Sequence, residues 1–123
     1  MSTRRRWEVE GTDEFVSWYD SLTDDESERV DAAVEILMEG GPAEGRPLVD
    51  TLRGSRHANM KELRPRGGYL RILFAFDPRR TAILLIGGDK TDRWQEWYDV
   101  YIPIADALYD VHLEALRREG DQR

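Results

Sequence analysis

Tyr69-Leu70-Arg71-Ile72-Leu73-Phe74-Ala75-Phe76, then Asp77-Pro78-Arg79-Arg80, then Thr81-Ala82-Ile83-Leu84-Leu85-Ile86, is the stretch on which the fold turns. In its first segment Leu70, Ile72, Phe74 and Phe76 alternate with Tyr69, Arg71, Leu73 and Ala75. A strand sends successive side chains to opposite faces, so this segment reads as a strand with two sides to cover. Asp-Pro-Arg-Arg is turn chemistry, because proline presets φ and aspartate bonds its own backbone. The second segment is nearly all apolar and reads as a central strand. Upstream, Met60–Arg64 begins the sheet, and Pro65-Arg66-Gly67-Gly68 turns the chain into Tyr69. Downstream, Gly87-Gly88-Asp89-Lys90 is expected to leave the sheet at its end. Three antiparallel strands follow from this reading.

Outside the sheet the period changes from two to 3.6. Phe15, Trp18, Tyr19 and Leu22 occupy one face of a short helix. Thr23-Asp24-Asp25-Glu26 is a capping box, and Val30, Ala33, Val34, Leu37 and Met38 form the stripe of the helix it opens. Gly40-Gly41-Pro42 stops that helix, giving an acidic helical hairpin. Arg6–Glu10 alternates like a short strand before the hairpin, and Ala43–Arg56 reads as an irregular crossing loop. Trp94, Trp97, Tyr98 and Tyr101, then Ile104, Ala107, Leu108, Val111 and Ala115, carry helical spacing to a charged tail. Pro103 either kinks that helix or starts a new one. The expectation is one α+β domain over residues 1–123, with helices packed on a small antiparallel sheet.

Composition narrows the function. The chain has 123 residues, 40% of them apolar, and no cysteine, so disulfides, thiolate zinc sites and thiol nucleophiles are excluded. No segment is apolar enough to span a membrane, and the arginines at positions 4–6 lack a following apolar stretch. A cytoplasmic protein with no membrane association is expected. The net charge of −7 argues against a nucleic-acid partner, but its distribution does not. Residues 8–50 hold fourteen Asp or Glu against two Arg. Residues 51–93 hold ten Lys or Arg against four acids, and residues 94–123 hold seven acids against three Arg. A phosphate backbone responds to the local field, and the middle segment is basic. The plain alternative is that strands carry arginine and helices glutamate on their solvated faces.

Phosphate-binding loops, dinucleotide glycine fingerprints, nucleophile elbows and zinc-protease motifs are absent. Gly67-Gly68 and Gly87-Gly88 read as turn glycines, and Asp89 and Asp92 as solvated loop carboxylates. What remains is a set of sheet-borne cations: Lys61, Arg64, Arg71 and Lys90, with His57 just upstream. Such a set suits metal-free RNA cleavage. The 2′-hydroxyl attacks the adjacent phosphorus, a 5′-oxygen leaves, and cations aimed at the phosphoryl oxygens stabilise the charge that builds there. Arginine stays protonated, so a base must be a lysine depressed by neighbouring cations, His57, or the ribosomal RNA environment. Tyr69 shares the strand face of Arg71 and can stack on a base; Arg66 and His57 complete the candidate RNA-binding set. Each also has a structural reading: Lys61 as one half of a strand-surface pair with Glu62, Arg64 and Lys90 as sheet-edge residues, His57 as a loop histidine. Arg71 stands out because an arginine inside an apolar strand needs a partner or an anion.

Lys61-Glu62-Leu63-Arg64, Arg71-Ile72-Leu73-Phe74-Ala75-Phe76-Asp77, Asp89-Lys90-Thr91, and Trp94-Gln95-Glu96-Trp97-Tyr98 before Ile102-Pro103 together carry a resemblance across nearly the whole chain. The sequence resembles the phage-derived HigB-like branch of the RelE/ParE toxin superfamily. The resemblance implies a RelE-like fold, a small antiparallel sheet with an N-terminal helical hairpin and a C-terminal helix. It implies a type II toxin–antitoxin component that cleaves messenger RNA on the ribosome without metal or cofactor and so inhibits translation. A helix-turn-helix antitoxin would silence it, and operator DNA would be reached only through that antitoxin. Lys61, Arg64, Arg71 and Lys90 fall where family members keep strand-borne cations. The alternative within the superfamily is a non-enzymatic interaction protein, a gyrase inhibitor or a partner that only binds an antitoxin.

Overall fold

The structure, a computed structural model, describes residues 6–121. The chain runs β1 (Val9–Gly11), α1 (Asp13–Asp20), α2 (Asp24–Gly40), a single 3₁₀ turn, β2 (Val49–Thr51), β3 (Lys61–Leu63), β4 (Leu70–Phe76), β5 (Ala82–Asp89) and α3 (Trp94–Asp121). The five strands form one sheet in the order β1-β5-β4-β3-β2. β2, β3, β4 and β5 are antiparallel to their neighbours, but β1 lies parallel to β5. The sheet is therefore mixed, not wholly antiparallel. β1 runs with β5 because the α1–α2 hairpin carries the chain away from its edge and the return comes through the opposite edge, β2.

The alternation in β4 sorts the two layers. Leu70, Ile72 and Phe74 meet Phe15, Val30, Ala33 and Leu37 of the hairpin. Leu73 and Ala75 meet Trp97, Ala105 and Tyr109 of α3 on the other face. The hairpin begins with Thr12, whose hydroxyl accepts the Phe15 amide at 3.0 Å and donates to the Leu85 carbonyl at 2.6 Å. Thr23 and Glu26 make the reciprocal capping box that the sequence announces.

Two local expectations need correction, and one open alternative is decided. The segment 43–56 is not wholly irregular: β2 lies inside it and pairs Val49 with Leu63. Three residues are too few to show an alternation, and the buried Val49 follows Pro47 and Leu48 in a run that reads as loop. Gly87 and Gly88 do not turn the chain; they lie inside β5, opposite Ile72 and Arg71. Their small size is spent on contact. A Cβ on Gly87 would overlap the Trp18 ring, and one on Gly88 would sit 2.7 Å from Trp97 Nε1. A register shift between Leu73 and Phe74 leaves Leu85 without an opposite residue. This bulge puts both Leu85 and Ile86 against the α3 layer. Finally, Pro103 lies inside a single continuous helix of 28 residues, so of the two expectations it does not start a new helix.

Candidate functional site

The layer between β3–β5 and the first turns of α3 is not purely apolar. In β3, Glu62 pairs with Leu73 and so faces α3; it is 1% exposed. Its Oε1 accepts Arg64 Nε at 2.6 Å, and Arg71 Nε lies 3.9 Å away. Its Oε2 is buried with no hydrogen-bond partner, as is Arg71 Nε. Arg71 directs its fork at main-chain carbonyls instead, donating from Nη1 to Leu70 at 2.7 Å and to Gly68 at 3.4 Å. Arg64 also reaches Asp50 on β2 at 3.2 Å.

Lys90 closes the cluster just past β5. It is 4% exposed, and its Nζ donates to the Tyr98 hydroxyl at 3.0 Å. The ammonium also lies 4.1 Å from the centre of the Trp94 ring and 5.0 Å from that of Tyr98. Among the described residues it has no carboxylate partner. Burial pushes its pKa down, and the nearby Arg71 charge pushes the same way. Burial, then the neighbouring Glu62 carboxylate, drives the Tyr98 hydroxyl well above its ordinary range, so it stays protonated. Tyr69 lies at the rim, its ring 5.9 Å from Trp94 in an edge-to-face contact and about half exposed to solvent. The main chain ties this rim together, since the Lys90 amide donates to the Tyr69 carbonyl at 3.0 Å.

The structure thus brings together Arg64, Arg71, Lys90 and Tyr69, and leaves three candidates outside. Lys61 pairs with Phe74 and shares its side of β3 with Leu63, so it belongs to the hairpin face. The sequence showed its charge but not its side; strand pairing decides that. His57 Nε2 bonds Asp110 at 2.8 Å, and its ring meets Tyr109 edge-on. From Tyr98 to Asp110 the helix advances about 18 Å, at roughly 1.5 Å per residue, so His57 is remote from Lys90. Arg66, in the β3–β4 turn, is exposed beside Ile36 and Leu48. Sequence reasoning missed Glu62, Trp94 and Tyr98. Glu62 was visible only as a strand-surface partner for Lys61, and the two aromatics as core stripe. The signal for Tyr98 was its place four residues after an exposed Trp94, on the turn that covers Lys90.

Comparison with known proteins places this geometry in a family. The profile of the phage-derived Gp49-like proteins matches residues 17–110, which run from the second half of α1 through α2 and β2–β5 into α3. The chain belongs to this family. Two relatives of this Gp49-like protein are candidate toxins of Mycobacterium tuberculosis. HigB2 is 54% identical over 100 residues, covering 79% of this chain and 50% of HigB2. HigB3 is 54% identical over 89 residues, covering 72% of this chain and 78% of HigB3. The Gp49-like chain therefore spans half the length of HigB2. Among solved structures, the isolated Escherichia coli RelE toxin superposes with a TM-score of 0.57 at 11% identity, covering 76% of this chain and 96% of RelE. RelE in the archaeal RelE–RelB complex of Pyrococcus horikoshii superposes at 0.56 with 18% identity, covering 70% and 97%. At such identities these two likenesses establish the RelE-type fold.

Proposed function

We propose that this Gp49-like protein is the toxin of a type II toxin–antitoxin pair, a metal-free endoribonuclease that cuts messenger RNA on the ribosome. The observation that carries the reading is the pairing deficit of Arg71 and Lys90. Both are held between sheet and helix, yet neither makes a direct hydrogen bond to a carboxylate among the described residues. Lys90 has no carboxylate partner among the described residues, and Arg71 has only Glu62, 3.9 Å from its Nε; a buried cation so weakly paired is costly, and a scissile phosphate is an anion that answers it. Kinship to HigB2 and HigB3, both named as candidate toxins, supports the same reading.

The chemistry follows from the charges. Arg71, supported by Arg64, stabilises the negative charge that gathers on the phosphoryl oxygens. Lys90, with its lowered pKa, accepts the 2′-hydroxyl proton as that oxygen bonds to phosphorus, and the departing 5′-oxygen takes its proton from solvent as the P–O5′ bond breaks. Tyr69 and Trp94 offer aromatic faces to an unstacked base. In the present arrangement the exposed Trp94 ring caps Lys90, so RNA reaches the ammonium by displacing that side chain. A helix-turn-helix antitoxin is the proposed silencing partner, the ribosome the proposed platform, and operator DNA is reached through the antitoxin.

One observation favours the second reading, a superfamily member that binds without cutting. Glu62 already draws Arg64 and Arg71 into an internal network beneath α3. Primer extension on a defined transcript, with purified protein in a reconstituted translation system, separates the two. Cleavage that requires ribosomes and survives chelation of all divalent ions other than those the ribosome retains supports the nuclease. Intact transcript at every protein concentration, with binding to gyrase or an antitoxin retained, supports the second reading.

A further inference from the structure

The sheet side of α3 carries the site just described; its solvent side carries a different pattern. Val100 is 57% exposed, Ile104 39% and Val111 69%, with exposed Ala107 between them. The spacing of four, three and four residues lines these side chains up over about 16 Å of helix, roughly three turns. Among the described residues nothing covers the row. A contiguous apolar row on an outward helix face marks an interaction surface.

The flanks say what fits it. One flank bears Glu96, Asp99, Asp110 and Glu114, by helical position. Asp110 is engaged by Arg56 at 2.5 Å, and Glu114 by Arg117 and Arg118. Asp99 accepts the Gln95 side-chain amide at 3.0 Å, and neither it nor Glu96 has a cationic partner among the described residues. A second copy of this chain is a poor occupant. Packing two α3 helices antiparallel with Val100 opposite Val111 brings equal flanks together, which sets Glu96 against Glu114 and Asp99 against Asp110. In that dimer Glu96 and Asp99 meet acids whose arginines, Arg56, Arg117 and Arg118, are already engaged within the chain and are not free to answer them. A helix with apolar residues at the same spacing and lysine or arginine along one flank satisfies both the row and the acids.

We propose that the solvent face of α3, Val100–Val111 with its acidic flank, docks a basic amphipathic helix of a partner protein. This surface is separate from Arg71 and Lys90, so its occupancy does not depend on the nuclease reading.

The test uses the full chain and two 21-residue amphipathic peptides, each with leucines spaced as in the α3 row. One carries lysines along one flank; its twin carries glutamates there. Fluorescence anisotropy should show saturable, salt-sensitive binding of the lysine peptide, at least tenfold tighter than the glutamate twin. Ile104→Asp with Val111→Asp should weaken the lysine peptide at least tenfold. Glu96→Lys with Asp99→Lys, two exposed positions that leave the apolar row intact, should reverse the preference between peptides. That second variant decides the matter if the first fails to fold by circular dichroism. Absence of binding overturns the proposal, as does binding that both variants leave unchanged, which would place the peptide on the acidic α1–α2 hairpin. A wild-type dimer in sedimentation equilibrium that Ile104→Asp dissociates would also overturn it in favour of a second copy.

Discussion

Lys90 is the residue at which the proposed chemistry and stability are expected to part company. Its ammonium is covered by Trp94 and Tyr98 and answered by a hydroxyl rather than a carboxylate. Removing a buried charge while keeping the volume is often neutral or stabilising. Lys90→Met should therefore leave the thermal midpoint unchanged or raise it, while cleavage falls at least 100-fold, as expected on losing a proton-transfer group. Differential scanning calorimetry and primer extension on the same preparation check both halves. A midpoint lowered by many degrees would mean that Lys90 is structural. The depressed Lys90 pKa sets a pH signature as well. The base is neutral above that pKa, so the cleavage rate should rise with pH and level off below the ordinary lysine value of about 10.4. A flat profile between pH 6 and 9 would remove Lys90 from the role of base. Gly87 is the structural counterpart. Gly87→Ala drives a methyl into Trp18 and should cost about 1–3 kcal/mol in urea unfolding, the ordinary range for overpacking.

At the scale of elements, α3 is held at two places by different chemistry. Its first turns rest on the cation cluster. Its second half is pinned by His57 to Asp110 and by His112 to the buried Asp77, both at 2.8 Å. Burial alone would raise the Asp77 pKa, but bonds from His112, the Thr81 amide and Arg79 outweigh it and bring the pKa below the ordinary value. A carboxylate whose folded pKa is depressed contributes stability above its unfolded pKa and loses it as pH falls through the folded one. The wild type should thus lose stability below about pH 4, and Asp77→Asn should be less stable at neutral pH with a flatter acid limb. Equal acid sensitivity in both proteins would show that other carboxylates govern the transition. The elements themselves were readable from periodicity: β4, β5, the hairpin and α3 all follow from spacing. β2 and the parallel placement of β1 were not, because three-residue strands hold no period and pairing direction is set by how the chain returns. Of the site, Arg71 was visible as a cation inside an apolar strand, and Lys90 only as a cation at a strand end. The face occupied by Lys61 and the remoteness of His57 depend on register and on α3, which a one-dimensional reading does not contain.

For the whole molecule, the acidic sequence and the basic function are reconciled by layering. The acids of residues 8–50 belong largely to the hairpin on one side of the sheet, and three cations, Arg64, Arg71 and Lys90, converge on the other, beneath α3. A polyanion meets a local field, so net charge does not forbid the site. The account then makes a claim about sides: chemistry belongs to the α3 face and not to the hairpin face. Lys61 and Arg71 lie on adjacent strands and differ in this respect. Transcript cleavage in a reconstituted translation system, measured for Arg71→Ala and Lys61→Ala beside the wild type, tests that claim most directly. The account predicts at least a 100-fold loss for Arg71→Ala, the scale of a removed transition-state contact, and near wild-type cleavage for Lys61→Ala. Full cleavage by Arg71→Ala, or loss confined to Lys61→Ala, would contradict it.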